Sequence, residues 1–273
     1  MDRLRHMVEQ VRVEPGAKAR LGHRKPDDRL GQDDRNAAET LMAEVVERVG
    51  VLASKLGASQ AKGLLVVLQG MDASGKDGTI RHCFDFIHPS ILHVWSFKVP
   101  TAEELAHDFL WRIHGKVPRR GEVVIFNRSH YEDVLVVRVD ELVPRERWEP
   151  RYDAINAFER NLVLEGTVVV KLFLHISREE QAERFRERLD DETKNWKFDE
   201  GDLRKREQWD AYQDAYADAI ERTSTEWAPW YVIPGDRPWL RNLVVSAVLE
   251  QALSALNLEW PQVDPAVRKL RIT

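Results

Sequence analysis

The 273-residue sequence predicts an α/β fold: a five-stranded parallel sheet flanked by helices, with a helical lid. Three observations carry the prediction. Short continuous apolar runs alternate with longer helical patterns, the arrangement of parallel strands joined by helical crossovers. The first apolar run leads directly into a glycine-rich loop that opens a helix, the context of a phosphate-binding loop. The composition is that of a globular chain, 43% hydrophobic and 32% charged, enough for a sizeable core.

Residues 1–35 are polar and carry Pro15, Gly16, Gly22, Pro26 and Gly31, which predicts an irregular arm, with Val11 and Val13 as the residues that could dock it. Asn36 to Leu56 places Leu41, Val45, Val46, Val49 and Leu52 at helical spacing, with Gly57 as a stop. Strands are predicted at Leu64–Leu68, Leu92–Phe97, Val123–Phe126, Val168–Leu174 and Trp230–Ile233. Helices fill the intervals, at Lys76–Ile87, Ala102–His114, Arg147–Glu165, Arg178–Leu189, Leu203–Glu226 and Leu240–Leu256. The polar stretch Asp190–Asp202 reads as a mobile hairpin tip between two charged helices, so residues 36–273 read as one domain, with a lid over about 177–206.

Composition excludes several function classes. Lys plus Arg total 41 against 46 Asp plus Glu, a formal charge of −5, which argues against a nucleic-acid coat. An anionic ligand remains admissible because it feels a local patch, not the sum. The one cysteine, Cys83, rules out a disulfide scaffold and a cysteine-cluster metal site. No apolar run approaches the roughly 18–20 residues of a membrane span. The N-terminus lacks the apolar stretch of a secretory signal, so a cytoplasmic location with no membrane partner is expected.

The strongest motif is Gly70-Met71-Asp72-Ala73-Ser74-Gly75-Lys76-Asp77-Gly78. Its spacing is that of a phosphate loop: glycines let the backbone N–H groups of Ala73, Ser74 and their neighbours wrap an anion, the helix N-terminus adds partial positive charge, and Lys76 adds a full one. The residue after Lys76 is Asp77, where an ordinary loop has Ser or Thr for Mg²⁺, and Asp72 adds a second carboxylate. Carboxylates where phosphates bind imply a divalent cation, Mg²⁺ (or Mn²⁺), with Asp72 the better ligand. Asp77 is either a second such group or a helix cap. After the third strand comes Asn127-Arg128-Ser129-His130-Tyr131-Glu132-Asp133. Asn127 stands where phosphate-loop enzymes carry a metal-side acid, and Arg128 is placed to reach a phosphate at the sheet's C-terminal edge. His130 and Tyr131 read as packing residues.

These residues resemble the family-2 polyphosphate kinases. GMDASGKDG (Gly70–Gly78) and FNRSHYEDVL (Phe126–Leu135) carry the likeness, and three further segments agree: Ser96–His114, Gln181–Phe198 and Ala228–Asn242. The resemblance implies a thymidylate-kinase-like phosphate-loop fold and phosphoryl transfer between inorganic polyphosphate and nucleotides, adenine and guanine both. It implies Asp72, Lys76, Arg128 and Arg188 as catalytic residues. Arg184 joins as a lid arginine on the polyanion, with Lys194 and Lys197 at the lid tip. Phe97, Lys98, Arg112 and Glu132 fall at the acceptor nucleotide. Asn127 replaces a common Asp, which shifts the metal role toward Asp72, and Pro238 replaces an expected Lys. The His130–Asp133 run resembles the subgroup that accepts nucleoside mono- and diphosphates. A homo-oligomer, tetramer or dimer, is the family expectation.

On charge pattern alone the lid is ambiguous. Residues 177–206 hold nine Lys/Arg and ten Asp/Glu, which by itself favours a solvated helix pair; the resemblance reverses that. Phe97 and Lys98 have plain alternatives as a core phenylalanine and a surface lysine. Trp111, Trp209, Trp227 and Trp230 read as packing, and only Trp196 lies in a loop suited to ligand. The competing functions are an ATP-using nucleoside monophosphate kinase, which would carry Ser or Thr in place of Asp77, and a nucleotide-binding switch. A guanine switch would show N-K-x-D after a strand, and Thr193-Lys194-Asn195-Trp196 is not that sequence.

Overall fold

The computed structural model describes residues 2–271 other than Lys194, Asp199, Arg268 and Lys269. The elements run α1 (Asp2–Val11), β1 (Arg12–Val13), α2 (Arg35–Ser59), β2 (Gly63–Gln69), α3 (Lys76–Cys83), β3 (Leu92–Ser96), α4 (Ala102–Ala106), α5 (Trp111–His114) and β4 (Val123–Asn127). They continue with α6 (Val136–Val139), α7 (Arg145–Trp148), α8 (Arg151–Leu164), β5 (Thr167–His175), α9 (Arg178–Asp190), α10 (Glu200–Glu207), α11 (Trp209–Thr223), β6 (Trp230–Pro234) and α12 (Pro238–Ser254).

The sheet order is β1-β6-β5-β2-β4-β3. The five predicted strands are all present and parallel. The sixth is the two-residue β1, antiparallel to β6 through Arg12↔Tyr231 and Val13↔Trp230. Two residues are too few to show a period, so that strand has no signature in the sequence. β2 is central and all seven of its residues are buried. Side chains alternate across a strand, so Leu64, Val66 and Leu68 join one core with α1, α2 and α12, while Leu65 and Val67 join the other with α8 and α11.

The arm is not irregular throughout. Its first residues form α1, whose Met7, Val8 and Val11 enter the α2–α12 core; Val11 and Val13 are 2% and 1% exposed. The α2 helix starts on Asp34, whose side chain accepts the Ala37 N–H, and it runs through Gly57 to end at Gln60 in the left-handed conformation. Gly57 instead gives room to Ile91, which a Cβ would meet at 3.2 Å. Several long helical patterns are broken: α7 and α8 part at Pro150, α10 and α11 at Gln208, α4 and α5 across residues 107–110, and α3 ends at Cys83. Proline cannot supply the N–H that an unbroken helix requires at that position. Among the described residues no helix is long and apolar enough to cross a membrane.

Candidate active site

The site lies at the C-terminal ends of β2, β4 and β5, where open α/β sheets bind ligands. The loop after β2 turns sharply. Gly70 has φ +155° and a Cβ there would fall 2.6 Å from Ser74 Oγ and 2.9 Å from Leu174 O. Ala73 takes φ +62°, a left-handed conformation unfavourable for a residue with a Cβ. The Ser74 N–H donates to Met71 O at 3.1 Å. The first N–H groups of α3 have no partner in their own helix.

Lys76 is 9% exposed. Its ammonium folds back over the loop, donating to Gly70 O at 2.8 Å and Met71 O at 3.1 Å. Burial, helped by Arg128, pulls its pKa down to about 8 against the opposing pull of Asp72. Asp72 sits opposite. One carboxylate oxygen accepts from Arg128 and the other from Lys205 Nζ at 3.1 Å. Burial pushes the Asp72 carboxyl up, but Arg128, Lys76 and Lys205 together hold it at about 2. Arg128 also holds φ +62° and lies 3.7 Å from Glu132. Burial opposes its charge, yet Glu132 and Asp72 raise its pKa. Gly70, Met71, Asp72, Arg128, Glu132, Val136, Lys205, Tyr212 and Tyr216 enclose the cleft.

The structure therefore brings Asp72, Lys76, Arg128 and Glu132 together. Arg188 is near, 3.5 Å from Asp202, whose pKa is raised by burial and by Asp72. Asn127 Nδ2 donates to Asp77 Oδ1 at 3.0 Å, which ties the end of β4 to the start of α3. Arg184 differs from expectation. Its guanidinium is turned to the outside of the loop, bonded to Ala73 O at 2.9 Å, Gly235 O at 2.7 Å and Glu180 at 2.7 Å. It lies on α9 three residues after Gln181, whose amide N–H donates to Asp72 O at 2.9 Å, so both face the loop's backbone. Lys194 lies outside the described residues, as does the side chain of Lys197. Trp196 is exposed and its indole N–H donates to Thr193 O at 2.9 Å.

At the acceptor side, Phe97 is packed edge-on against Phe126 at 4.9 Å, and Arg112 covers its other side at 5.5 Å. Phe97 is core rather than a platform for a base. Arg112 donates to Lys98 O at 2.9 Å, and the Lys98 side chain is exposed. His130 and Tyr131 are buried packing residues, as their positions in the sequence suggest.

Sequence reasoning missed Lys205, Asp202, Gln181, Tyr212 and Tyr216. Lys205 carries one signal: it sits in the basic run Arg204-Lys205-Arg206 at the end of α10. Among the described residues no three His, Cys, Asp or Glu side chains cluster as a resident metal centre. Asp72 lines the cleft, and Asp77 and Asn127, bonded to each other, stand at the start of α3 and the end of β4. A hard cation that keeps most of its waters and is shared with phosphates needs only one or two carboxylates, and this donor set fits it.

Comparison with known proteins agrees. Residues 31–260 match the model of the family described as polyphosphate kinase 2. An AMP/ADP-polyphosphate phosphotransferase of Meiothermus ruber is 51% identical over 97% of this chain and 100% of its own length. An ADP-polyphosphate phosphotransferase of Rhodopseudomonas palustris is 41% identical over 96% of this chain and 95% of its own. The crystal structure of polyphosphate kinase 2 from Arthrobacter aurescens superposes with a TM-score of 0.92 at 41% identity, covering 96% and 95% of the two chains. With a family match over most of its length and a relative 51% identical across 97% of it, the chain belongs to the polyphosphate kinase 2 family.

Proposed function

We propose that the protein transfers the terminal phosphoryl group between inorganic polyphosphate and the terminal phosphate of AMP or ADP. The observation that carries this is the convergence of Lys76, Arg128 and Lys205 on Asp72 in one cleft at the mouth of the phosphate loop. An oxygen of the acceptor phosphate attacks the terminal phosphorus of polyphosphate. The anhydride P–O bond breaks, and the shortened polyphosphate leaves with the electron pair. A phosphate monoester has its second pKa near 6, so near neutral pH the attacking oxygen is already largely deprotonated and needs no strong base.

The difficulty is bringing two polyanions into line, and these residues are suited to that by position and charge. Lys76 can swing from its carbonyl partners to a phosphate. Arg128 and Lys205 hold Asp72 now and would share themselves with phosphate oxygens when substrate arrives. Asp72, with Asp77 and Asn127 as the other candidate donors near the loop, would hold Mg²⁺. A divalent cation held there would supply charge neutralisation for the phosphates. Asp77 bonded to Asn127 occupies the place of the Ser or Thr hydroxyl that an ATP-using kinase presents to its metal, which favours polyphosphate as donor.

The test is a product assay of AMP, ADP and GDP, each with polyphosphate and Mg²⁺ and no ATP. ADP and ATP should form from the adenine acceptors. The GDP arm tests guanine acceptance, and light scattering of the same sample tests the expected homo-oligomer. No product from any acceptor with polyphosphate, together with turnover of AMP in a parallel assay with ATP as the sole donor, would overturn the assignment.

A further inference from the structure

A phosphate loop has two sides: its N–H groups face the anion and many of its carbonyls face away. Two arginines from distant elements occupy the outer side of this one. Arg184 of α9 donates to Ala73 O at 2.9 Å. Arg241 of α12 approaches the next carbonyl, Ser74 O, at 3.4 Å, and donates to Asn242 Oδ1 at 3.2 and 3.0 Å. Its guanidinium fills the space that a side chain on the loop would need. A Cβ at Gly75, whose φ is +95°, would fall 1.9 Å from Arg241 Nη1, and one at Gly78 would lie 3.4 Å from Nη2.

Arg241 is 3% exposed. Among the described residues its hydrogen bonds go to neutral oxygens, and the carboxylate that acts on it from a distance, Glu180, is already paired with Arg184 at 2.7 Å. Burial, then Arg184 close by, lowers its pKa to about 10, so it remains a cation at neutral pH. A buried cation hydrogen-bonded only to neutral groups is a poor way to stabilise a fold, since a well-packed apolar side chain in the same volume is often as good or better. The opposite charge that suits it lies on the other side of one peptide layer, where the loop binds an anion. A hydrogen bond to a peptide oxygen also polarises that peptide and strengthens its N–H as a donor. Ser74 O belongs to the peptide that carries the Gly75 N–H, while Ala73 O belongs to the left-handed residue whose following N–H, that of Ser74, closes the loop's own turn on Met71 O at 3.1 Å.

We propose that Arg241, backed by Arg184, is a positioning residue for the donor polyphosphate. The two arginines grip consecutive outer carbonyls and so fix the loop with the Gly75 N–H toward the anion, and the bound anion supplies the counter-charge that the hydrogen-bond partners of Arg241 do not. The inference rests on polyphosphate being the donor at this loop. It reassigns Arg184 from closing over the polyanion to bracing the loop from behind.

The experiment compares wild type, Arg241→Met and Arg241→Lys. It measures kcat and KM for polyphosphate and for AMP separately, and thermal melts with and without tripolyphosphate. Arg241→Met should raise the KM for polyphosphate about tenfold or more, the scale of losing a charge-assisted interaction, while the KM for AMP changes little. Its ligand-free melting temperature should equal or exceed wild type, and the rise produced by tripolyphosphate should shrink. Arg241→Lys keeps the charge without the planar fork and should fall between the two. A wild-type KM for polyphosphate in Arg241→Met overturns the proposal, as does a lowered ligand-free melt with an undiminished tripolyphosphate response. If Arg241→Met does not fold, Arg241→Lys decides: an unchanged KM for polyphosphate overturns, an increase supports. Absence of polyphosphate-dependent turnover in wild type would instead remove the functional assignment, and the tripolyphosphate melts would still test the anion's link to Arg241.

Discussion

Two charged clusters lie on either side of the segment that follows β4, and they are built from similar residues to opposite ends. The inner one is sealed. Glu159, Lys171 and His130 are all 0% exposed. Lys171 Nζ donates to Glu159 Oε2 at 2.6 Å, Thr223 O at 2.5 Å and the Tyr131 hydroxyl at 3.1 Å. The Tyr131 hydroxyl lies 2.9 Å from both Glu159 Oε1 and Thr223 Oγ1, and Trp230 closes the set on Thr223 at 2.8 Å. Burial pushes the Glu159 carboxyl up, but Lys171 and His130 bring it below its ordinary value; burial drives His130 toward the neutral form.

The outer cluster is Asp72 with Arg128 and Lys205, whose side chains are 13%, 31% and 29% exposed. Its pairs are formed by groups that a phosphate or a cation can take over. The difference teaches that charge type does not mark function here; exchangeable partners do. The inner cluster pins the turn at His130–Asp133, just after Arg128 in its left-handed backbone conformation, and the outer cluster is left open to the cleft.

Lys76→Ala should separate the two most sharply. Turnover should fall by a factor on the order of 10³ or more, as when a phosphoryl-contacting cation is lost, while the melting temperature stays near wild type. Steady-state kinetics with parallel melts measure both, and a folded variant with normal turnover would remove the phosphate-loop role.

Next comes the sealed cluster. Lys171→Met leaves Glu159 buried without its cation and should cost about 3–5 kcal/mol of stability. The double variant Lys171→Met/Glu159→Leu should recover most of that loss in urea titrations. If the single and double variants are equally destabilised, the cluster is not a matched pair.

Asp72→Asn should cost less stability and more function. The Asp72 carboxyl is held at about 2, below its ordinary 3.8. Its contribution to stability is therefore complete above about pH 4 and lost as pH falls toward 2. The variant's stability curve should be flatter in that window, and its activity should collapse at limiting Mg²⁺. Full activity there would exclude Asp72 as the metal's organiser.

The pH profile sharpens the same contrast. Lys76 is lowered to about 8 from 10.5, so the folded state is penalised while both states are protonated, below pH 8. The penalty is relieved as pH rises from 8 toward 10.5. In the free enzyme the ammonium is being lost in that range, so kcat/KM for polyphosphate should fall above about pH 8. Bound phosphate stabilises the charged lysine, so kcat should fall only at higher pH. Coincident profiles would show that Lys76 does not meet the polyanion.

The smallest effect is expected at Arg188, which pairs with Asp202 and is 23% exposed at its side chain. Arg188→Ala should lower turnover by about tenfold, the scale of one charge-assisted contact, with no change in melting temperature. Unchanged turnover would leave the work to Lys76, Arg128 and Lys205.

The sequence by itself determined the five parallel strands, the phosphate loop, and the identities of Asp72, Lys76 and Arg128. Each is a local matter. A strand buried on both faces reads as an unbroken apolar run, and Gly70 to Lys76 must follow β2 and open α3 for the loop to exist at all. Only the tertiary structure decided which other side chains reach that loop. Lys205 meets Asp72 across 133 positions and Arg241 meets Ser74 across 167. A lysine in a basic run of a nearly neutral lid, or an arginine inside a helix, reads the same in sequence whether it faces solvent or a site. Arg184 shows the limit most plainly: its helix was legible, but the side of the phosphate loop that its guanidinium takes depends on how α9 packs against Ala73 and Gly235. The two-residue β1 is the same lesson in the fold, because Arg12 and Val13 become a strand only when β6 offers its edge.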